Sequence, residues 1–258
     1  MNIKKKIWNI FKKIVKNFFL FLNLDIKRKI PKWDLIPEIS EIEKKIIETC
    51  SKYSMTPEIR MYVLCQAIKY IKNNNLEGDF VECGTWKGGN IILFQKFNLL
   101  FNLNKKIYGF DTFEGMTEPS DSDKRKNIPA KKIAVTLGIK KMEDWCYSSY
   151  EEVLKNISDH TIINNINLIK GKVEDTLLNE KNLPKKISIL RLDTDWYAST
   201  KIELEVLYKR LVHGGVLIID DYGDWEGARK AVDEYFKNHN IWLHYVDPSC
   251  RFLIKNEK

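Results

Sequence analysis

Apolar positions change their spacing along this chain, and the change separates helices from strands. Over residues 3–22 they fall at Ile3, Ile7, Ile10, Phe11, Ile14, Phe18 and Leu22, a helical period with lysines between them. Residues 41–50 read as a second helix. A third is expected to start at Thr56-Pro57, with Thr56 as its cap, and to turn Ile59, Val63, Leu64, Ile68 and Ile71 inward until residues 73–75. Short apolar runs then alternate with helical stretches: strands at 80–81, 107–110, 166–169, 187–192 and 216–219, and a helix at 91–97. TKIE at 200–203 has the form of a capping box, ahead of a helix bearing Ile202, Val206 and Leu207 and stopped by Gly214-Gly215. Residues 241–246 and 251–254 close the pattern as a pair with an antiparallel member. The alternation predicts an α/β fold, Rossmann-like, with a mostly parallel seven-stranded sheet covered by helices on both faces. The polar stretch 117–132 has the composition of a mobile loop or lid.

The net charge of +8 is unevenly placed. Residues 1–32 hold ten basic residues and one acid, leaving 33 basic and 34 acidic residues for the rest. A neutral body excludes a broad nucleic-acid groove. The basic head predicts an N-terminal helical extension and linker over 1–54, with the main domain over 55–258. It reads as a helix capping the body or packing in an oligomer, or as an interfacial helix (residues 1–24) on an anionic membrane. Its apolar run is broken by lysines and too short for a span or signal peptide, so a cytoplasmic location is expected, with peripheral contact at the inner membrane face as the variant. Five scattered cysteines fit a reducing compartment.

Four of the expected strands end in carboxylates: Glu82, Asp111, Asp193 and the pair Asp220-Asp221. In an open parallel sheet such ends share the edge where ligands bind. The stretch GDFVECGTWKGGN (78–90) sets Gly84, Gly88 and Gly89 beside Glu82, a loop able to approach a ligand closely. Its glycines lack the G-x-G-x-x-G spacing, and Glu82 would repel a pyrophosphate, which argues against NAD. Asp111 can accept ribose hydroxyls. Asp193, Asp195, Asp220 and Asp221 would repel one another without a cation, and all-oxygen ligation suits magnesium, manganese or calcium. His160 and His213 are placed away from this edge.

The segments DFVECGTWKGGN, YGFDTFEGM, GKVEDTL, LRLDTDWYAST and GGVLIIDDYGDWEGARKAVDEY follow one another as in the macrocin O-methyltransferases, and over about residues 55–246 the chain resembles that family. The resemblance implies a class I methyltransferase fold and S-adenosylmethionine-dependent, metal-assisted methylation of a sugar hydroxyl. It places Glu82 and Gly84 at the methionine side of the cofactor, Asp111 at the ribose and Glu174 and Asp175 beside the adenine, with Thr85, Gly88 and Thr112 as further cofactor-binding residues. Asp193, Asp220 and Asp221 would ligate Mg2+ (or Mn2+), with Asp193 also serving cofactor and catalysis. Asp195 is the candidate base; its alternative roles are a second metal ligand or an orienting residue. Trp196 and Tyr197 stack on a sugar face or pack in the core. With no export signal read and a composition rich in Lys, Ile and Asn, unlike proteins of GC-rich macrolide producers, the expected acceptor is a nucleotide-activated sugar, such as a GDP- or dTDP-linked hexose or heptose for a surface polysaccharide, in place of an antibiotic, with a lipid-linked glycan as the variant. A homo-oligomer is expected from the resemblance. The rival classes are an NAD-dependent oxidoreductase and a non-catalytic scaffold.

Overall fold

A computed structural model describes residues 8, 11–13, 15, 33 and 36–256. Two compact units divide the chain, Met1–Ser40 and Glu41–Lys258. In the first, residues 8, 11–13 and 15 are helical, and the remainder of the amphipathic pattern over 3–22 lies outside the described residues. The division falls at Ser40 rather than 54, because helix α1 (Glu41–Cys50) belongs to the larger unit. Its Ile47 and Cys50 are fully buried. The buried carboxylate of Glu43 accepts from Gln66 Nε2 (3.0 Å) and Lys69 Nζ (2.7 Å) of helix α2 (Glu58–Asn73).

Five strands run parallel: β1 (Asp79–Cys83), β2 (Ile107–Asp111), β5 (Ile166–Lys170), β6 (Ile187–Leu192) and β7 (Leu211–Ile219). β9 (Arg251–Ile254) pairs antiparallel with both β7 and β8 (His244–Tyr245). The order β5-β2-β1-β6-β7-β9-β8 confirms the seven-stranded, mostly parallel sheet read from the alternation. The chain walks outward from β1 in one direction and resumes at β6 in the other. The crevice that ligands occupy in such sheets therefore opens at the carboxyl ends of β1 and β6. All six residues of β6 are buried, as expected of a strand covered on both faces.

Helix α3 (Gly89–Leu100) follows β1, α5 (Tyr150–His160) precedes β5, and α6 (Val173–Thr176) follows it. Helix α7 (Tyr197–Leu207) begins before the expected capping box. Thr200 and Glu203 are buried one turn inside it, and the Tyr197 N–H is capped from afar by Asp123 Oδ1 (2.7 Å). Thr56 does not cap α2 either, since its hydroxyl is committed to interior partners described below. Gly214 and Gly215 lie inside β7 instead of ending a helix. Helix α8 (Glu226–Tyr235) was not foreseen; its amphipathic run follows the acid pair directly.

The segment expected as a mobile lid carries regular structure. A short hairpin, β3 (Lys124–Arg125) with β4 (Ile128–Pro129), leads into α4 (Ala130–Thr136). Ala130, Ala134 and Met142 are packed with Trp196 and Trp225. The buried carboxylate of Asp123 accepts from the N–H and hydroxyl of Ser120 as well as from Tyr197.

Gly84 fastens the crevice. Its φ is +82°, and a Cβ there would lie 2.0 Å from the Asp193 carbonyl oxygen. Gly138 shares the positive φ (+76°) but faces open space. Gly84→Ala is therefore expected to lower the melting temperature far more than Gly138→Ala, whose cost is the backbone strain alone, about 1–3 kcal/mol. Thermal unfolding of the two variants side by side checks this.

Candidate active site

Strand register sets Glu82 of β1 beside Arg191 of β6. Arg191 is 1% exposed in an otherwise apolar strand, a position where a charge needs several acceptors. Its Nη1 donates to Glu82 Oε1 (2.8 Å) and Asp193 Oδ2 (2.6 Å), and its Nη2 to Thr56 Oγ1 (2.9 Å) and Asp220 Oδ1 (2.5 Å). Asn90 Nδ2 closes the ring by donating to Glu82 Oε1 (2.9 Å) and Thr56 Oγ1 (3.1 Å). A second guanidinium, Arg60 of α2, pairs with Asp220 Oδ2 and donates through Nε to Asp247 Oδ2 (2.6 Å). Reading the acids alone missed both arginines. The available signal was the charge at the fifth position of ISILRL, where the apolar pattern allows none.

Above this network lies a cleft of about 230 Å³. One side has Phe110, Met116 and Val173 as apolar wall, with Asp111, Thr112 and Glu174. The other has Asp193, Thr194, Asp195, Asp220 and Asp221, with Arg60 and Thr56. Of the expected site residues, Gly84, Asp111, Thr112, Glu174 and the four acids Asp193, Asp195, Asp220 and Asp221 line the cleft.

Glu82, Thr85, Gly88 and Asp175 do not. Glu82 lies within β1 rather than at its end and is 1% exposed, facing Arg191 beneath the cleft floor. Thr85 turns its N–H (2.7 Å) and hydroxyl (3.3 Å) toward Asp111 Oδ2. Gly88 takes φ +85° at the start of α3, where a Cβ would press on Val153 and Ile157. Asp175 is exposed on α6. Asp111 keeps its place on the wall, yet its carboxylate is largely engaged: Oδ2 also accepts from the Trp86 N–H (2.9 Å), and Oδ1 from the Phe113 N–H (2.8 Å). It ties the β1 and β2 loops together, and Oδ1 also accepts from the Thr112 hydroxyl (3.4 Å). Trp196 is a core residue, 2% exposed with its indole N–H on Thr117 O (2.9 Å), and Tyr197 bonds Glu234. Neither lines the cleft. His160 bonds Tyr53, away from the cleft.

Two buried carboxylate oxygens on the cleft residues have no hydrogen-bond partner, Glu174 Oε2 and Asp221 Oδ2. Such acceptors fit incoming ligands. Glu174, beside the apolar wall of Phe110 and Val173, suits the hydroxyls or amino group of an adenosyl moiety. Among the described residues, Asp193, Asp220 and Asp221 form the one group able to hold a metal ion, with an oxygen from each within 4.8 Å of the others. That donor set fits a hard divalent cation. Burial pushes the Asp195 carboxyl up to about 7, against a hydrogen bond to Asp221 that lowers it. Burial also raises Asp220 to about 6, opposed by Arg191, and holds Asp221 well above the carboxylate range, reinforced by Asp195. Glu82 rises to about 7 for the same first reason, with Arg191 pulling it down.

The family model described as macrocin O-methyltransferase (TylF) matches residues 48–254. The chain is 28% identical over 188 residues to the demethyldecarbamoylnovobiocin O-methyltransferase of Streptomyces niveus, covering 70% of this chain and 67% of the relative. It is 27% identical over 188 residues to the mycinamicin III 3''-O-methyltransferase of Micromonospora griseorubida (70% and 69% covered). Against the solved structure of the O-methyltransferase NovP the TM-score is 0.70 at 25% identity, over 80% of this chain and 83% of that one. The calicheamicin methyltransferase CalS11 shares the fold, with TM-score 0.56 at 17% identity over 90% and 100% of the two chains. These likenesses set aside the oxidoreductase and scaffold readings: the chain belongs to the macrocin O-methyltransferase (TylF) family of S-adenosylmethionine-dependent O-methyltransferases.

Proposed function

We propose that the protein methylates a sugar hydroxyl, that Asp193, Asp220 and Asp221 hold Mg2+ or Mn2+ beside that hydroxyl, and that the sugar is nucleotide-activated, a GDP- or dTDP-linked hexose or heptose used for a surface polysaccharide. The observation that carries the reading is one cleft joining an adenosyl-sized wall with an unpartnered acceptor, Glu174, to a rim of four carboxylates. A sugar acceptor is supported by the relatives, one of them named for the 4'-O-methylation of a rhamnosyl-tetracenomycin in Streptomyces olivaceus. The nucleotide link rests on a composition rich in Lys, Ile and Asn, unlike that of antibiotic producers.

S-adenosylmethionine, when bound, supplies a methyl group on a cationic sulfur, taken by the acceptor oxygen in an in-line displacement. The chain's part is to place that oxygen and remove its proton. Asp195 takes the proton, and a carboxyl raised to about 7 is suited to a base working near neutrality. The three aspartates would hold a cation that lowers the hydroxyl's pKa and fixes its direction. Thr194, between Asp193 and Asp195, is held by its hydroxyl on Glu203 Oε1 (2.9 Å), which fixes the loop carrying both acids.

Asp195→Asn is expected to reduce turnover by about 10²–10⁴-fold, the usual worth of a general base. The thermal stabilisation by S-adenosylhomocysteine should be unchanged in that variant. Loss of both together would make Asp195 a binding residue instead.

The raised carboxyls set a pH dependence. Their charged forms are disfavoured in the folded state, so in metal-free protein their contribution to stability is full below about pH 4 and is lost as pH rises through about 6–7. A cation on these acids reverses the loss. Millimolar Mg2+ should therefore raise the melting temperature more at about pH 8 than at about pH 5. An equal gain at both would place the cation elsewhere.

Methylation assays with GDP- and dTDP-linked sugars and a lipid-linked glycan test the acceptor. Product from the nucleotide sugars is the expected result, and product from the glycan alone would overturn that part.

A further inference from the structure

We propose that the protein docks on an anionic membrane surface, through its basic head and through a second basic, apolar-tipped surface on the insertion between β2 and α5. The docking is independent of which acceptor is methylated. No helix among the described residues is long and apolar enough to cross a membrane.

In the head, the rings of Trp8 and Phe11 stack at 5.9 Å, Lys12 Nζ lies 5.3 Å from the Trp8 ring, and both rings are more than half exposed. Exposed rings among lysines, with ten basic residues and one acid over 1–32, are the makeup of a helix lying in a headgroup layer.

The insertion repeats that chemistry on the other unit. Residues 124–141 contain seven basic residues and no acid. Lys131 pairs with Glu118 (2.9 Å) and Arg125 with Asp224 (2.8 Å). Lys126, Lys132, Lys140 and Lys141 are exposed and make no ion pair among the described residues, although the exposed acids Glu143 and Asp144 follow them. Between these lysines Val135 is 74% and Leu137 62% exposed. They cannot turn inward, because Ala130 and Ala134 on the opposite side of α4 are locked against the tryptophans. Exposed aliphatics framed by lysines suit the headgroup–acyl boundary better than a nucleic-acid backbone, which offers nothing to cover them. The surface adjoins the cleft: the Met116 N–H on the cleft wall donates to the carbonyl of Met142 (3.3 Å), the residue after Lys141.

Co-sedimentation of the full chain with phosphatidylcholine vesicles, with and without about a third phosphatidylglycerol, tests the proposal. Binding to the anionic vesicles alone, weakening with salt, is expected. The triple variant K132Q/K140Q/K141Q should bind about a hundredfold more weakly, at about fivefold per lysine, and V135S/L137S and W8S/F11S should each weaken binding too. An unchanged melting temperature and an unchanged S-adenosylhomocysteine shift show that the variants fold. The salt dependence of the unaltered chain is a readout that needs no variant. No binding, equal binding to neutral vesicles, or lysine variants that bind like the unaltered chain would overturn the proposal. So would a change of oligomeric state in those variants, which would make a second copy the occupant.

Discussion

One buried guanidinium governs the catalytic edge. Arg191 lies at the centre of residues brought from positions 56, 82, 193 and 220, and each of its two terminal nitrogens serves two oxygens. A planar fork can do this where an ammonium on a flexible stem cannot. Its burial would be prohibitive alone, and so would that of Glu82 or Asp220. Each is tolerable only because the others are there. The carboxyl ends of β1, β6 and β7 are therefore fixed relative to one another by charge as well as by backbone pairing.

The same arrangement explains the chemistry of the rim. Glu82, Asp193, Asp195, Asp220 and Asp221 crowd around two guanidinia, Arg60 and Arg191. The arginines neutralise the acids nearest the floor and leave Asp195 and Asp221 facing each other above it. Burial raises all four of Glu82, Asp220, Asp195 and Asp221, and Arg191 pulls the first two back down. The floor acids are held by guanidinia, whereas Asp195 and Asp221 have no guanidinium partner among the described residues.

Strand identity and sheet direction are legible in the sequence because short, mostly apolar runs such as ISILRL and VLII alternate with helical stretches, as a doubly covered parallel sheet requires. The acids after β2, β6 and β7 were legible for the same reason, since chain direction carries strand ends to one edge. The strand runs two residues past Val81, to Cys83, so Glu82 is an interior side chain and not one beyond the strand end. Local capping rules cannot see that Arg191 takes the Thr56 hydroxyl, or that Asp123 caps the Tyr197 N–H and lets the helix start a turn before Thr200. The insertion looked like a lid because its composition is polar, while the three tryptophans that anchor it are scattered at 145, 196 and 225.

Positive-φ backbone reaches into the cleft. Away from it, four of the non-glycine residues with positive φ are asparagines, which tolerate that conformation (Asn75, Asn102, Asn104 and Asn127). Phe113 and Lys126 share it outside the cleft lining; among the cleft residues they are Trp86 (+44°), Cys146 (+54°) and Asp195 (+66°), of which the tryptophan and the cysteine adopt it least readily. Glycine would relieve the strain at all three positions, and at Asp195 it would give up the base proposed above. Thermal endurance and turnover are therefore opposed at that residue, and a thermostable relative that keeps an acid there must draw its extra stability from elsewhere in the fold.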